Sequence, residues 1–192
     1  MSAGTQQLDL FEDLSYYEGA DVEYKSARGG LPSSLWETYS AFANTAGGTL
    51  WLGISQGSDG QLRLQGLENP EKLKSDVHNL LNNREKVSRN LLTDADVGIV
   101  RVPDAGRALV RLRVPQAGHR ERPVSVGKDP FNGTYRRDYE GDYRCTEDEV
   151  RRMFADQSEE PVDSRIVEGF GMEDIHPQSL AQFRNRFASF DP

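Results

Sequence analysis

Residues 31–54, LPSSLWETYSAFANTAGGTLWLGI, leave a chain few ways to fold. Leu35, Trp36, Tyr39, Phe42 and Ala43 recur at i, i+1, i+4, i+7 and i+8, the apolar stripe of an amphipathic helix. Pro32 suits the entry turn, and Ser34 with Glu37 three residues on has the form of a capping box. The pattern stops at Ala46-Gly47-Gly48, residues that permit a positive φ and a sharp reversal. Thr49-Leu50-Trp51-Leu52-Gly53-Ile54 then runs almost without polar side chains, as a strand buried on both faces does. The stretch reads as a helix laid on a sheet through a glycine turn.

The remaining elements build outward from that unit. In Asp21 to Lys25, Val22 and Tyr24 share one face of a short strand while Glu23 and Lys25 share the other. After Ile54, SQGSDGQ is turn chemistry, and residues 62–67 complete a hairpin. Residues 70–92 are helical in pattern, with Leu73, Val77, Leu80 and Leu81 on one side and a break expected at Asn82-Asn83. Residues 95–102 and 107–115 form an antiparallel pair around Pro103-Asp104-Ala105-Gly106. Residues 116–132 are mostly loop, 133–144 hold a further strand, and 146–157 a helix opened by a Thr146/Glu149 capping box. The expected fold class is α+β, a mixed and largely antiparallel sheet with helices packed mainly on one face. Residues 1–14 are expected to be an N-terminal arm. Residues 158–192 are expected to be an acidic linker and the start of a following segment absent from this chain, with Leu180, Phe183 and Phe187 on one helix face.

Composition narrows the function. Two Trp, eight Phe and 36% apolar residues describe a globular protein, and no run approaches the length needed to span a membrane. The N-terminus lacks the basic and apolar regions of a secretory signal. One cysteine, Cys145, excludes an internal disulfide and a cysteine-based zinc site. The expected compartment is the cytoplasm. A net charge of −8 opposes nucleic acid, yet residues 101–145 hold ten basic against six acidic side chains, so a local basic patch is open to the fold.

That patch begins in RALVRLRVP, where Arg107, Leu109, Arg111 and Arg113 alternate with Ala108, Val110, Leu112 and Val114. Arg120, Arg122, Lys128, Arg136, Arg137 and Arg144 follow, interleaved with Phe131, Tyr135, Tyr139 and Tyr143. Guanidinium groups contact phosphates and aromatic rings stack on bases. Asp138, Glu140 and Asp142 offer the competing outcome, in which the arginines are neutralised in place. The glycine turn lacks the G-x-x-x-x-G-K-[ST] pattern and is assigned to structure, with Asn44 capping helix carbonyls. His78, His119 and His176 lack metal-ligand spacing.

The segments VEYK and SAFANTAGGTLWLGI, with GTYRRDYEGDYRCTEDEVRRMF further on, resemble the Schlafen AlbA_2 domain. That domain occurs in many predicted bacterial transcriptional regulators, and a related one forms the core of animal Schlafen proteins. The resemblance extends over about residues 15–157. It implies a nucleic-acid-binding module, DNA ahead of RNA, with Lys25, Arg28, Arg111, Arg113, Arg120, Arg122, Arg136 and Arg137 as the contacts. In nuclease members two glutamates and a third acid hold a divalent metal. Glu18 and Glu23 match the first two positions, Gln56 stands at the third, and Asp59 lies close by. The missing carboxylate favours binding over catalysis. No cofactor is expected unless a metal-dependent ribonuclease using Glu18 and Glu23 is the answer. A non-catalytic dimerisation scaffold, pairing through the tail, is the remaining alternative.

Overall fold

In the computed structural model, residues 21–57, 60–102, 105–157 and 176–188 are described, with side chains in the last stretch as far as Gln182. The chain divides into two compact units, residues 1–158 and 159–192. In the first, strand β1 (Val22–Lys25) lies parallel to β2 (Gly48–Leu52), with helix α1 (Ser34–Asn44) as the crossover between them. Strand β2 also pairs antiparallel with β6 (Arg107–Val114), which pairs antiparallel with β5 (Val97–Val102), giving the order β1-β2-β6-β5. Strands β3 (Ile54–Gln56) and β4 (Leu62–Leu64) form one small hairpin, and β7 (Tyr135–Asp138) and β8 (Gly141–Arg144) another. Helix α2 is Pro70–Leu81, α3 the single turn Pro130–Gly133, α4 Glu147–Ala155 and α5, in the second unit, Pro177–Ala188. This is the expected α+β class.

The register sorts side chains onto two faces. Leu50, Leu52, Val97, Val110, Leu112 and Val114 point to the helices and meet Leu35, Trp36, Tyr39 and Phe42 of α1 and Leu73, Val77 and Leu81 of α2. Burying each of these larger side chains contributes about 1.5–3 kcal/mol, so this layer carries most of the fold. Tyr24, Trp51, Leu109 and Val102 point the other way, where Ile54, Leu62 and Leu64 of the β3–β4 hairpin pack on them. The apolar run 49–54 is therefore two strands, because Gly53 at φ +100° breaks it and sends Ile54 to the far face.

Some local expectations hold and others are corrected. The cap of α1 is Ser33 without a side-chain hydrogen bond, so the Ser34/Glu37 capping box does not form, whereas the Thr146/Glu149 box closes in both directions. Helix α2 ends at Leu81, where Asn82 caps it. Residues 133–144 hold two strands turned at Tyr139-Glu140. Asn44 faces away from its helix carbonyls: its Nδ2 donates to Val124 O (2.8 Å) and Tyr135 O (3.0 Å), and its Oδ1 accepts from Val124 N (2.9 Å). Gly47, at φ +78°, donates its N–H to Phe42 O and leaves no room for a Cβ beside Val114 O, which settles the glycine turn as structural. Cys145, at the junction of β8 and α4, is buried, and burial above all pushes its thiol up to about 11. No helix among the described residues is long and apolar enough to cross a membrane.

Tyr39 ties the core to the loop after α2. Its hydroxyl donates to Arg89 O (3.0 Å) and accepts from Leu91 N (2.8 Å). Burial raises its pKa from 10.0 to about 12, against the Leu91 hydrogen bond and with a smaller push from Glu121. Between these values the unfolded chain releases a proton that the folded chain keeps, so stability falls as pH rises. Denaturant titrations from pH 9 upward should show the stability advantage of the native chain over Tyr39→Phe shrinking by about 3 kcal/mol, with the Phe variant lacking that component of the slope.

Candidate nucleic-acid interface

The arginine stripe of β6 divides as its alternation requires. Leu109 is covered by the β3–β4 hairpin, and Arg107 donates from Nη1 to Leu64 O at the hairpin's edge. Arg111 and Arg113 lie farther along the same face, away from the helices. Arg111 is flanked in register by Trp51 on β2 and Gly98 on β5, and Arg113 by Thr49. The Arg111 guanidinium sits 5.9 Å from the Trp51 ring centroid, and a Cβ on Gly98 would lie 3.8 Å from its Nη2. The bare glycine leaves the guanidinium room to lie along the sheet. Burial, then the like charge of Arg113, lowers the Arg111 pKa. Among the described residues neither guanidinium forms an ion pair with a carboxylate. Arg113 does act on Asp96, whose carboxyl is held low chiefly by Thr93 hydrogen bonds and least by Arg113.

The other basic residues are arranged differently. Arg137 is buried, its side chain 2% exposed, and its guanidinium bridges Asp142 Oδ1 (2.9 Å) and Glu23 Oε2 (3.0 Å). It also lies 5.1 Å from the Phe42 ring centroid. Burial alone would lower its pKa, but the hydrogen bonds and charges of Asp142 and Glu23 outweigh burial and raise it. Lys25 Nζ takes the second Glu23 oxygen at 2.6 Å, and Thr38 Oγ1 donates to Asp142 Oδ2 at 2.5 Å. Arg137 and Lys25 were expected among the phosphate contacts. The structure commits Arg137 to the interior and pairs Lys25 with Glu23. Arg136 is half exposed and paired with Asp138 (3.1 Å) and Glu149 (3.2 Å). Arg28 and Arg120 are exposed, while Arg122 is half-buried with its Nη1 3.4 Å from Asn44 O. Arg28 lines two adjoining cavities of about 250 and 200 Å³, the first with Lys72, Glu68 and Asp76 also in its wall.

These placements split the expected groove. Arg111 and Arg113 share the open sheet face, whereas Arg136 and Arg137 ride on a hairpin packed against α1, on the helix side. Asp142 and Thr38, which complete the Arg137 network, carry no local signal in sequence, since 104 residues separate them. Glu18 and Asp59 lie outside the described residues, and both oxygens of Glu23 are taken by cations. Gln56 is exposed, with its amide 3.4 Å from Gly60 O. Among the described residues no cluster of three His, Cys, Asp or Glu side chains is placed to hold an ion. A carboxylate already neutralised twice does not suit a divalent cation, and no catalytic step follows from it. Replacing Arg137 by methionine should cost about 3–5 kcal/mol, chiefly by leaving the half-buried Asp142 carboxylate without its cation. Adding Asp142→Asn to that variant should recover part of the loss, as read by urea denaturation.

The Schlafen AlbA_2 family model matches residues 18–146, and a domain of unknown function, DUF8451, matches residues 151–192. One solved structure with similarity is the N-terminal domain of a RecG-related protein, an ATP-dependent DNA helicase relative, from Nitrosomonas europaea. It is 26% identical, with a TM-score of 0.47, over 76% of this chain and 95% of that one. No curated protein matches. The family match spans two thirds of the chain and the glycine-turn, strand and hairpin segments described above: the chain belongs to the Schlafen AlbA_2 family.

Proposed function

We propose that the domain is a nucleic-acid-binding module of a transcriptional regulator, with DNA ahead of RNA, and that Arg111 and Arg113 are its principal phosphate contacts. One observation carries the reading. Among the described residues these two guanidinium groups have no carboxylate partner, whereas Arg136, Arg137 and Lys25 each have one. Arg111 is partly withdrawn from water and next to a like charge, and both effects disfavour its charged form. A phosphate oxygen would relieve both and accept a charge-assisted hydrogen bond. Arg28, Arg120 and Arg122 are the remaining basic side chains of the proposed set with some exposure. The family membership supports the reading, since the domain occurs in predicted regulators.

The overall charge of −8 sets the terms of binding. Long-range attraction is absent, so affinity depends on the short-range pair and on low salt. Fluorescence anisotropy with labelled DNA over a salt series tests this. Arg111→Ala with Arg113→Ala should weaken binding about 10- to 100-fold and reduce the log–log salt slope by about 2. Binding that keeps its slope in the double variant places the contacts elsewhere.

A further inference from the structure

The β7–β8 hairpin presents two tyrosines to solvent at a conformational cost that its fold does not require. Asp138 pairs with Gly141, so Tyr139-Glu140 is a two-residue turn. Tyr139 is its first residue, at φ +56° and 79% exposed. A left-handed first position in such a turn is the place of glycine, asparagine or aspartate, because a Cβ there crowds the backbone. Among the described residues no hydrogen bond or ring contact holds the Tyr139 side chain in compensation. Strain of this kind, kept without a structural return, points to what the side chain does outside the fold.

Tyr143, 54% exposed, stands on the outer face of the same hairpin. Its ring lies over Gly141, where a Cβ would come within 2.5 Å of Cε2. Cross-strand from it, Arg136 sits 6.0 Å from the ring centroid and is itself fixed by Asp138 and Glu149. The ring is thus seated on one side and open to solvent elsewhere. The charges around the two tyrosines are Arg136 against Asp138, Glu140 and Glu149, an excess of negative charge. Such a surface does not draw phosphates. It offers flat aromatic area instead, which suits unpaired bases, since those of a duplex are stacked inside it.

The hairpin reaches the β1 edge of the sheet from the helix side, and the basic pair lies on the opposite face, so a strand joining the two would pass round that edge. Arg137 fastens the hairpin to Glu23 of β1, and Val22, the neighbouring residue, shares its partner Thr49 with Arg113. Two strand spacings, about 10 Å, separate Val22 from Arg113 across the sheet. We propose that Tyr139 and Tyr143 form a stacking platform for unpaired bases of a single-stranded nucleic acid whose phosphates are held at Arg111 and Arg113. This rests on the phosphate-binding reading above and names its substrate class.

The test uses the full chain, labelled oligothymidine and a duplex of the same length. Tyr139→Gly removes the ring and also the left-handed strain, so its thermal midpoint should hold or rise. Tyr143→Leu keeps an apolar cover on Gly141 without a π face. Together they should weaken oligothymidine binding about 5- to 100-fold, leave the salt slope as it is, and change duplex binding less than about twofold. Unchanged oligothymidine binding, or equal losses on both ligands, overturns the platform. If the native chain binds neither ligand, the Arg111/Arg113 reading fails and takes this one with it. If the arginine variant lowers the salt slope while the tyrosine variant binds as the native chain does, the platform alone falls.

Discussion

A single buried guanidinium holds the architecture of this domain together. Arg137 joins Glu23 of β1 to Asp142 of β8 and lies over Phe42 of α1, while Thr38 of α1 secures the far oxygen of Asp142. The β1–α1 segment and the hairpin about a hundred residues later meet at that charge. A buried ion pair contributes little net stability relative to an apolar replacement, but removing one partner is costly. Its effect is positional: it fixes where the hairpin sits on the helix and which of its side chains face out. The same contact removes Glu23 from any role requiring an unsatisfied carboxylate.

Much of the fold was legible because it rests on periodicity. The stripe of α1, the glycine reversal, the alternation of β6 and the second capping box are local patterns, and each appears where its spacing puts it. What escaped notice depends on contacts across the chain. Gly53 looks like a strand residue until its φ reveals a corner, and Asn44 looks like a cap until Val124 and Tyr135 arrive beside it. The first capping box failed because the helix begins one residue away from the pattern's demand. Of the basic residues, sequence identified the types but not the partners. Whether an arginine meets solvent or a carboxylate is decided by tertiary neighbours, and alternation along one strand does not report those.

The charge pattern then acquires a physical order. Acidic residues close to arginines in sequence, Asp138 and Asp142, do neutralise Arg136 and Arg137. Arg111 and Arg113 escape an ion pair because the register places uncharged Trp51, Gly98 and Thr49 beside them, and Asp96, whose carboxyl feels Arg113, is held by Thr93. Among the described residues, a chain acidic overall thus keeps a pair of like charges on a central strand, where packing on the opposite face holds their geometry.

Cys145 has a use that its burial creates. It is the chain's lone thiol, seated where β8 gives way to α4, with its N–H donated to Thr134 O and its sulfur protonated far above neutral pH. A thiol so shielded reacts with an alkylating reagent only in moments when the surrounding segment lifts. The labelling half-life of the native chain therefore acts as a clock for breathing at the hairpin's root, with no engineered probe.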